Sequence, residues 1–454
     1  MIRITHAVLL FVAVVAAASD VIDDTFEDPS VTITGDIAVW DAIFSSRTAP
    51  ITIISASSHN LIWTEGPTLV GKELFFSDTV DAKIYALDVS SLGEEIGTNE
   101  KNERLRLRVV KERSGDNPPE DDSWRAEPGS NGLFLLPPVP SPTKDNPNNL
   151  LVCQHGARRI AVLDITASSS ENKMEERDEA VIKMAIPLTS EWNGRRLNGP
   201  NDIAVRQEDG KMYAYFTDPV YAWLEKDRFE ELPYLDERVK SKYGAGHCGV
   251  YRFELSWNGT TWNRVGNVEL LQVMERPNGI GFFGSDGDDS SNGKLIVSEC
   301  CQGSHLKSCT QGTSRWIISQ QNNQGDWVKD TVIENVLQTE EKQLHGRGGG
   351  CADGFALYHY ANDMTVGGNE NKKKQEEKKA VLISSCSDGL CIVDLQQNRV
   401  VARLWTFKKS GCKVSNVAIG NGWAFLTGNC GVLGLALRDH DELYEIQSSY
   451  RAEL

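Results

Sequence analysis

Six polar side chains, Glu65, Asn131, Asn201, Asn278, Asp353 and Asn416, recur roughly 63 to 77 residues apart, each at the head of a short apolar run. All six carry a side-chain oxygen, two as carboxylates and four as carboxamides. Carboxylate, amide carbonyl and water are the ligands of a hard divalent cation such as Ca2+. Glu65 and Asp353 together balance a double positive charge, and Asn201 and Asn278 add neutral oxygens. Positions left to water or substrate would then allow chemistry on a polarised carbonyl or phosphoryl group. Zn2+, Mg2+ and Mn2+ are the other cations such a set admits. The competing reading is that Asn-Gly and Asp-Gly are ordinary turn dipeptides. Turn chemistry accounts for Asn131 and Asn416, and less well for Glu65, because Glu is not a turn former.

For these residues to meet, the chain must repeat. Each copy runs from the leading residue through an apolar strand, a turn, a second strand ending in a small or acidic residue, and a third strand. The first copy has ELFFSD and KIYALDV, the third MYAYFTD and GVYRFEL, the sixth WAFLTG and VLGLAL. Apolar, β-branched and aromatic runs bounded by Gly, Asn and Asp read as strands, and no long helical periodicity competes. The fold class expected is all-β, a six-bladed β-propeller, in which the first strand of every blade lines the central channel. A residue repeated at its start then forms a ring around the axis. A two-sheet sandwich fits six copies of one internal order poorly. The propeller is expected over 51–454, with Ile51–Ser55 closing the last blade and insertions near 93–122, 168–180 and 361–380. The last of these holds NENKKKQEEKK, a charged run suited to solvent.

Arg3, the apolar run Ala7–Val15 and Ala16-Ala17-Ala18 make residues 1–18 an export signal, leaving 19–50 as a lead segment. The localisation expected is secreted. Ten cysteines in an oxidising compartment predict disulfides, with Cys386–Cys391 and the Cys300, Cys301, Cys309 group as local candidates. With 47 Lys and Arg against 64 Asp and Glu, the net charge of −17 argues against nucleic acid or an anionic membrane as partner. Asn258-Gly259-Thr260 is an N-glycosylation sequon.

The ordered motifs WTEGPTL with LFFSD, NGLFL with VCQHGARRI, RLNGPNDIAV with YFTDPVY, RPNGIGF with LIVSE, and ADGFAL span about residues 60 to 395. Together they resemble the gluconolactonase/regucalcin (senescence marker protein) family. The resemblance implies a six-bladed propeller carrying a divalent cation, commonly calcium, on its axis, and lactone hydrolysis. Glu65, Asn278 and Asp353 match that family's metal ligands. Asn201 matches a residue that ligates the metal or contacts substrate, and Asp202 one that orients its neighbours. Asp218 lies in the family's TDP turn. Two departures, Ala222-Trp223 after that turn and the His345-Gly346-Arg347-Gly348-Gly349-Gly350 loop, bear on the substrate more than on the metal.

The mechanism this implies is a cation that polarises the ester carbonyl and activates water, with Asp353 as candidate base and Asn201 as its catalytic partner. Asn131, Asn201, His155 and Arg158 are the candidate contacts for a small lactone or related ester. No GxSxG elbow, dinucleotide fingerprint or P-loop occurs. The alternative is a secreted, non-catalytic propeller that binds a partner and uses any calcium structurally. A strictosidine-synthase-like propeller acting without this metal is a third reading, against which Glu65 and Asp353 stand.

Overall fold

The computed structural model describes residues 32–45, 47, 50–92, 105–116, 127–139, 148–165, 185–223, 245–284, 293–300, 314–335, 351–362, 377–386, 389–405 and 412–438. The expected export signal, the 168–180 insertion, Cys301, Cys309 and the loop 345–350 lie outside them.

The apolar runs form strands that are buried on both faces. Glu73–Asp78 is buried at every position after the first, and Asn149–Gln154 throughout. Such strands need no alternation of polar and apolar residues, which is why the sequence shows continuous runs. The innermost strands are Thr64–Val70, Leu133–Leu135, Ile203–Glu208, Pro277–Phe283, Phe355–Asn362 and Val414–Gly420. Each opens an antiparallel sheet that meanders outward, and each touches the innermost strand of the next sheet, the sixth returning to the first. This is a closed six-bladed β-propeller. Six apolar clusters fill the six interfaces between neighbouring blades, with Trp316, Phe216, Phe76 and Phe425 among the side chains that lose all or nearly all exposure. Radial packing of this kind leaves each blade with only a short inner edge at the axis and an outer edge at the rim.

Four-stranded blades replace the three-stranded units expected from sequence. The fourth strands are Leu107–Glu112, Ile186–Thr189, Trp262–Met274, Trp327–Glu334 and Arg399–Trp405. Leu107–Glu112 falls inside the stretch 93–122 read as an insertion, a correction with a simple cause. The strand sits at a blade edge, is only partly buried, and carries Arg108, Lys111 and Glu112. The 361–380 stretch likewise begins and ends as hairpin, with Ala361 opposite Lys378 and Asn362 opposite Glu377.

Ile51–Ser55 pairs with Gly431–Ala436 as the outermost strand of the sixth blade, so the two ends of the ring are joined by one sheet. Ser415 Oγ adds a bond to the Thr64 carbonyl across the same junction, 2.6 Å. The lead segment also contributes a fifth strand, Thr32–Gly35, to the edge of the fifth blade. A short helix, Ile37–Ile43, follows; the Asp36 carboxylate caps it by accepting from Ala38 N at 3.0 Å, and Trp40 and Ile43 are buried beneath it. Asn258 lies exposed at a hairpin tip, its Oδ1 accepting from Thr260 N and Thr261 N.

Disulfides join Cys300 to Cys351, Cys386 to Cys391, and Cys412 to Cys430. The expected local pair 386–391 is present, whereas Cys300 reaches Cys351, the residue two before Asp353, and not its sequence neighbours. Cys153 stays a buried thiol, and burial raises its pKa. No helix among the described residues is long and apolar enough to cross a membrane.

Candidate active site on the propeller axis

All six leading residues lie buried at the starts of the innermost strands, from Asn131 at 3% exposure to Asp353 at 9%. A pair of side chains at the end of the second strand, repeated in the first, third and fourth blades as Ser77-Asp78, Thr217-Asp218 and Ser298-Glu299, helps to set them there. The acidic member reaches back within its own blade to backbone N–H groups two and three residues before the leading residue. Asp78 accepts from Ile62 N at 2.7 Å and Trp63 N at 3.4 Å, ahead of Glu65. Asp218 accepts from Asn198 N and Gly199 N, both at 2.8 Å, ahead of Asn201. Glu299 accepts from Glu275 N at 2.8 Å and Arg276 N at 3.3 Å, ahead of Asn278. In the sixth blade Asn429 Oδ1 accepts from Lys413 N at 2.6 Å, ahead of Asn416. Asp218 thus holds a neighbouring strand's approach and not just the turn in which its motif places it.

The hydroxyl member reaches forward to the next blade. Ser77 Oγ donates to the Asn131 carbonyl at 2.8 Å, Thr217 Oγ1 to that of Asn278 at 2.6 Å, and Ser298 Oγ to that of Asp353 at 2.7 Å. Asn278 is therefore fixed both by its own blade, through Glu299, and by the one before it, through Thr217.

The glycine that follows the leading residue in the second, fourth and fifth blades has a packing role and not a turn role, while Asn201 and Asn416 are followed by Asp202 and Val417. Gly132, Gly279 and Gly354 do not have positive φ; instead the next blade's leading residue lies against them. A Cβ on Gly132 would come 2.8 Å from the Asn201 carbonyl oxygen, and one on Gly354 would meet the Asn416 side chain at 1.9 Å. The axis is crowded enough that only hydrogen fits. Gly354→Ala should cost about 1–3 kcal/mol of overpacking, read as a lower urea midpoint, and should displace Asp353 and Asn416 together. A variant as stable as the wild type would contradict this packing.

Four carboxyl groups share the axial region. Burial first, then the Asp353 charge, holds Glu65 well above the usual carboxylate range, with further repulsion from Glu127 and Asp202. Trp63 Nε1, 2.9 Å from Glu65 Oε1, partly offsets this. Asp353 is also held well up by burial, then by the charges of Glu127 and Asp202; hydrogen bonds from the Gly354 N–H and the Asn278 amide oppose the shift. Burial pushes Asp202 up to about 6, and its two oxygens accept from Ile203 N at 2.9 Å and Ile280 N at 3.2 Å, tying the third blade to the fourth.

Glu127 was not among the residues picked from sequence. It lies four residues before Asn131 and outside the repeated pattern, so periodicity had no signal for it. Tyr221 was missed as well, although its TDPVY motif was in view. Its hydroxyl is buried without a hydrogen-bond partner among the described residues, and the Arg276 and Asp353 charges act on it.

His155 and Arg158 occupy the turn that faces Asn201 from the second blade. The buried His155 ring has Nδ1 3.0 Å from the Pro200 carbonyl and Nε2 3.4 Å from Glu127 Oε2. Arg158, at φ +61°, directs Nε to the carbonyls of Leu197 at 2.6 Å and Asn198 at 3.1 Å. These bonds give Arg158 a hold on the backbone that leads into Asn201.

The donor set fits a hard dication. It is all oxygen, and it includes two buried carboxylates whose charge the surrounding acids oppose. Among the described residues no three His, Cys, Asp or Glu side chains group as a metal cluster, so the amides would have to supply the remaining oxygens.

Burial pushes Asp218 up to about 7, against the pull of the Asn198 and Gly199 N–H groups and the Arg158 charge. An acid near 7 when folded and near 4 when unfolded keeps its proton longer in the folded chain, so its contribution to stability is lost as pH rises through that window. The stability of the wild type relative to Asp218→Asn should therefore fall between about pH 4 and pH 7. A pH-independent difference in urea midpoint would contradict that reading of Asp218.

No protein-family model and no curated protein matches the chain. Among solved structures it is similar to a gluconolactonase from Xanthomonas campestris, with 18% identity and a TM-score of 0.46 over 87% of this chain and 97% of that one. A glucose dehydrogenase matches at 12% identity and a TM-score of 0.41 over 90% of this chain and 100% of that one. A virginiamycin B lyase from Staphylococcus aureus matches at 8% identity and a TM-score of 0.39, over 90% of this chain and 100% of that one.

Proposed function

We propose that this propeller is an exported, metal-dependent hydrolase of lactones or related small esters, with Glu65, Asn201, Asn278 and Asp353 as the cation's ligands. The observation that carries the reading is the burial of two mutually repelling carboxylates among amides on one axis. Burying a carboxylate without a compensating charge is expensive, and an axial dication compensates both at once. The ordered motifs that resemble the gluconolactonase/regucalcin family support the substrate class. When bound, the cation would supply carbonyl polarisation and a more acidic water.

The chain's own residues have separate tasks. Asp78, Asp218 and Glu299 fix the backbones that carry Glu65, Asn201 and Asn278. The Asn278 amide and the Gly354 N–H favour the charged form of Asp353. Tyr221 offers a buried hydroxyl to a polar substrate atom. Asn131, between Glu65 and Asn201 in the ring, extends that polar lining. Three disulfides are compatible with an oxidising, extracellular compartment.

The test is a hydrolysis screen over sugar lactones, other lactones and organophosphates, with and without added Ca2+, Zn2+, Mg2+ and Mn2+. Metal-dependent turnover of a lactone is the expected result. Tight cation binding with no turnover of any ester would favour the non-catalytic, partner-binding propeller.

A further inference from the structure

Glu127 and His155 form a pair that the ring of metal ligands does not use. His155 is fully buried, and its Nδ1 is 3.0 Å from a carbonyl, which can only accept. That nitrogen therefore carries a hydrogen, and Nε2 is the end turned to Glu127, 3.4 Å from its Oε2. The Glu127 side chain keeps 23% of its exposure, so it touches the buried histidine without being sealed from solvent. Its charge acts on Glu65 and is the largest charge effect on Asp353, so it lies within electrostatic reach of the axial carboxylates.

Asp353 is poorly suited to act as base. It is a proposed ligand, and the Asn278 amide and the Gly354 N–H act on its charge. Glu127 is not one of the proposed ligands, and its contact among the described residues is with His155. We infer that Glu127, oriented by His155, is the general base and then the general acid of ester hydrolysis at the axial site. This rests on the hydrolase reading above.

The proton balance closes within the pair. As a water oxygen bonds to the ester carbon, its proton passes to Glu127 and the carbonyl electron pair moves onto oxygen. Return of that pair breaks the bond to the alkoxide, which takes the proton from Glu127 and restores the carboxylate. His155 is a positioning residue: its Nδ1–H is anchored on Pro200, next to Asn201, and its Nε2 lone pair, 3.4 Å from Glu127 Oε2, is placed to accept the hydrogen that the carboxyl takes up. Burial pushes Glu127 up to about 7, which suits a group that takes and returns a proton near neutrality.

The experiment compares Glu127→Gln, Glu127→Gly and Glu65→Gln in the full chain by three measurements. Ca2+ affinity is read by calorimetry, turnover on the best lactone from the screen, and the His155 ring by nitrogen NMR. Glu127→Gln should keep Ca2+ affinity near wild type while turnover falls about 10²- to 10⁴-fold. Added formate should restore part of the turnover of Glu127→Gly, which a merely structural role would not allow. The His155 Nε2 resonance should move in Glu127→Gln while Nδ1 stays protonated. Loss of Ca2+ affinity in Glu127→Gln comparable to that in Glu65→Gln would make Glu127 a ligand and overturn the assignment. Unchanged turnover, or no formate rescue, would overturn it too. A wild-type chain that hydrolyses no ester would overturn the hydrolase reading and the base role with it. An unmoved His155 Nε2 would overturn the pairing itself, independently of any activity.

Discussion

Glu65→Gln or Asp353→Asn should weaken cation binding and hydrolysis together, and the double variant should lose both. Each change leaves a dication with one balancing charge instead of two. Loss of a group that only orients a ligand costs about 10–100-fold in metal affinity, so loss of a ligand carboxylate should cost at least that. The same substitutions relieve a buried charge that its neighbours oppose, so the metal-free variants should be at least as stable to urea as the metal-free wild type. That opposite movement of stability and cation affinity separates a ligand from a structural carboxylate. Asn201→Ala should spare more affinity, because it removes a neutral oxygen, while still lowering turnover. Calorimetry with Ca2+ and steady-state kinetics on the same preparations check all three variants. Full activity of a metal-stripped double variant would reject the metal mechanism.

Removing the Cys300–Cys351 disulfide should produce the largest loss of stability among the three disulfides that join described residues. It closes a loop with a sequence separation of 51, against 18 for Cys412–Cys430 and 5 for Cys386–Cys391. On chain-entropy grounds the first is worth about 4 kcal/mol and the last about 2 kcal/mol. It also joins the residue after Glu299 to the residue two before Asp353, tying the fourth blade to the approach of the fifth blade's axial carboxylate. A Cys300→Ser, Cys351→Ser variant should therefore unfold at markedly lower urea and bind Ca2+ more weakly, whereas Cys386→Ser, Cys391→Ser should show a smaller loss of stability. Equal losses in the two double variants would place the effect outside loop closure and the Asp353 approach.

Much of the architecture is legible in the sequence because a propeller repeats. Six leading polar residues with a common internal order mark the blades, and Ile51–Ser55 stands out as an orphan strand in need of a partner. The ring residues Glu65, Asn131, Asn201, Asn278, Asp353 and Asn416 are visible for the same reason: radial symmetry turns sequence period into spatial convergence. The fourth strands are not visible, because a half-exposed edge strand such as Leu107–Glu112 needs no distinctive composition and lies between long variable stretches.

Other features depended on the fold. The serine-or-threonine and acid pairs at Ser77-Asp78, Thr217-Asp218 and Ser298-Glu299 look like strand ends, and only the packed ring shows that one side chain reaches forward to the next blade while the other reaches back. The Asn-Gly and Asp-Gly dipeptides look like turns, and only the distance from Gly354 to Asn416 shows a crowded axis. Arg158 looks like a contact for substrate, and tertiary structure puts its guanidinium on the carbonyls of Leu197 and Asn198. Glu127 and Tyr221 reach the axial region from segments that do not repeat. Local spacing determines which residues recur, and so the blades and the ring. The partners of a side chain that crosses between blades are decided by packing across the interface, which no period along the chain encodes.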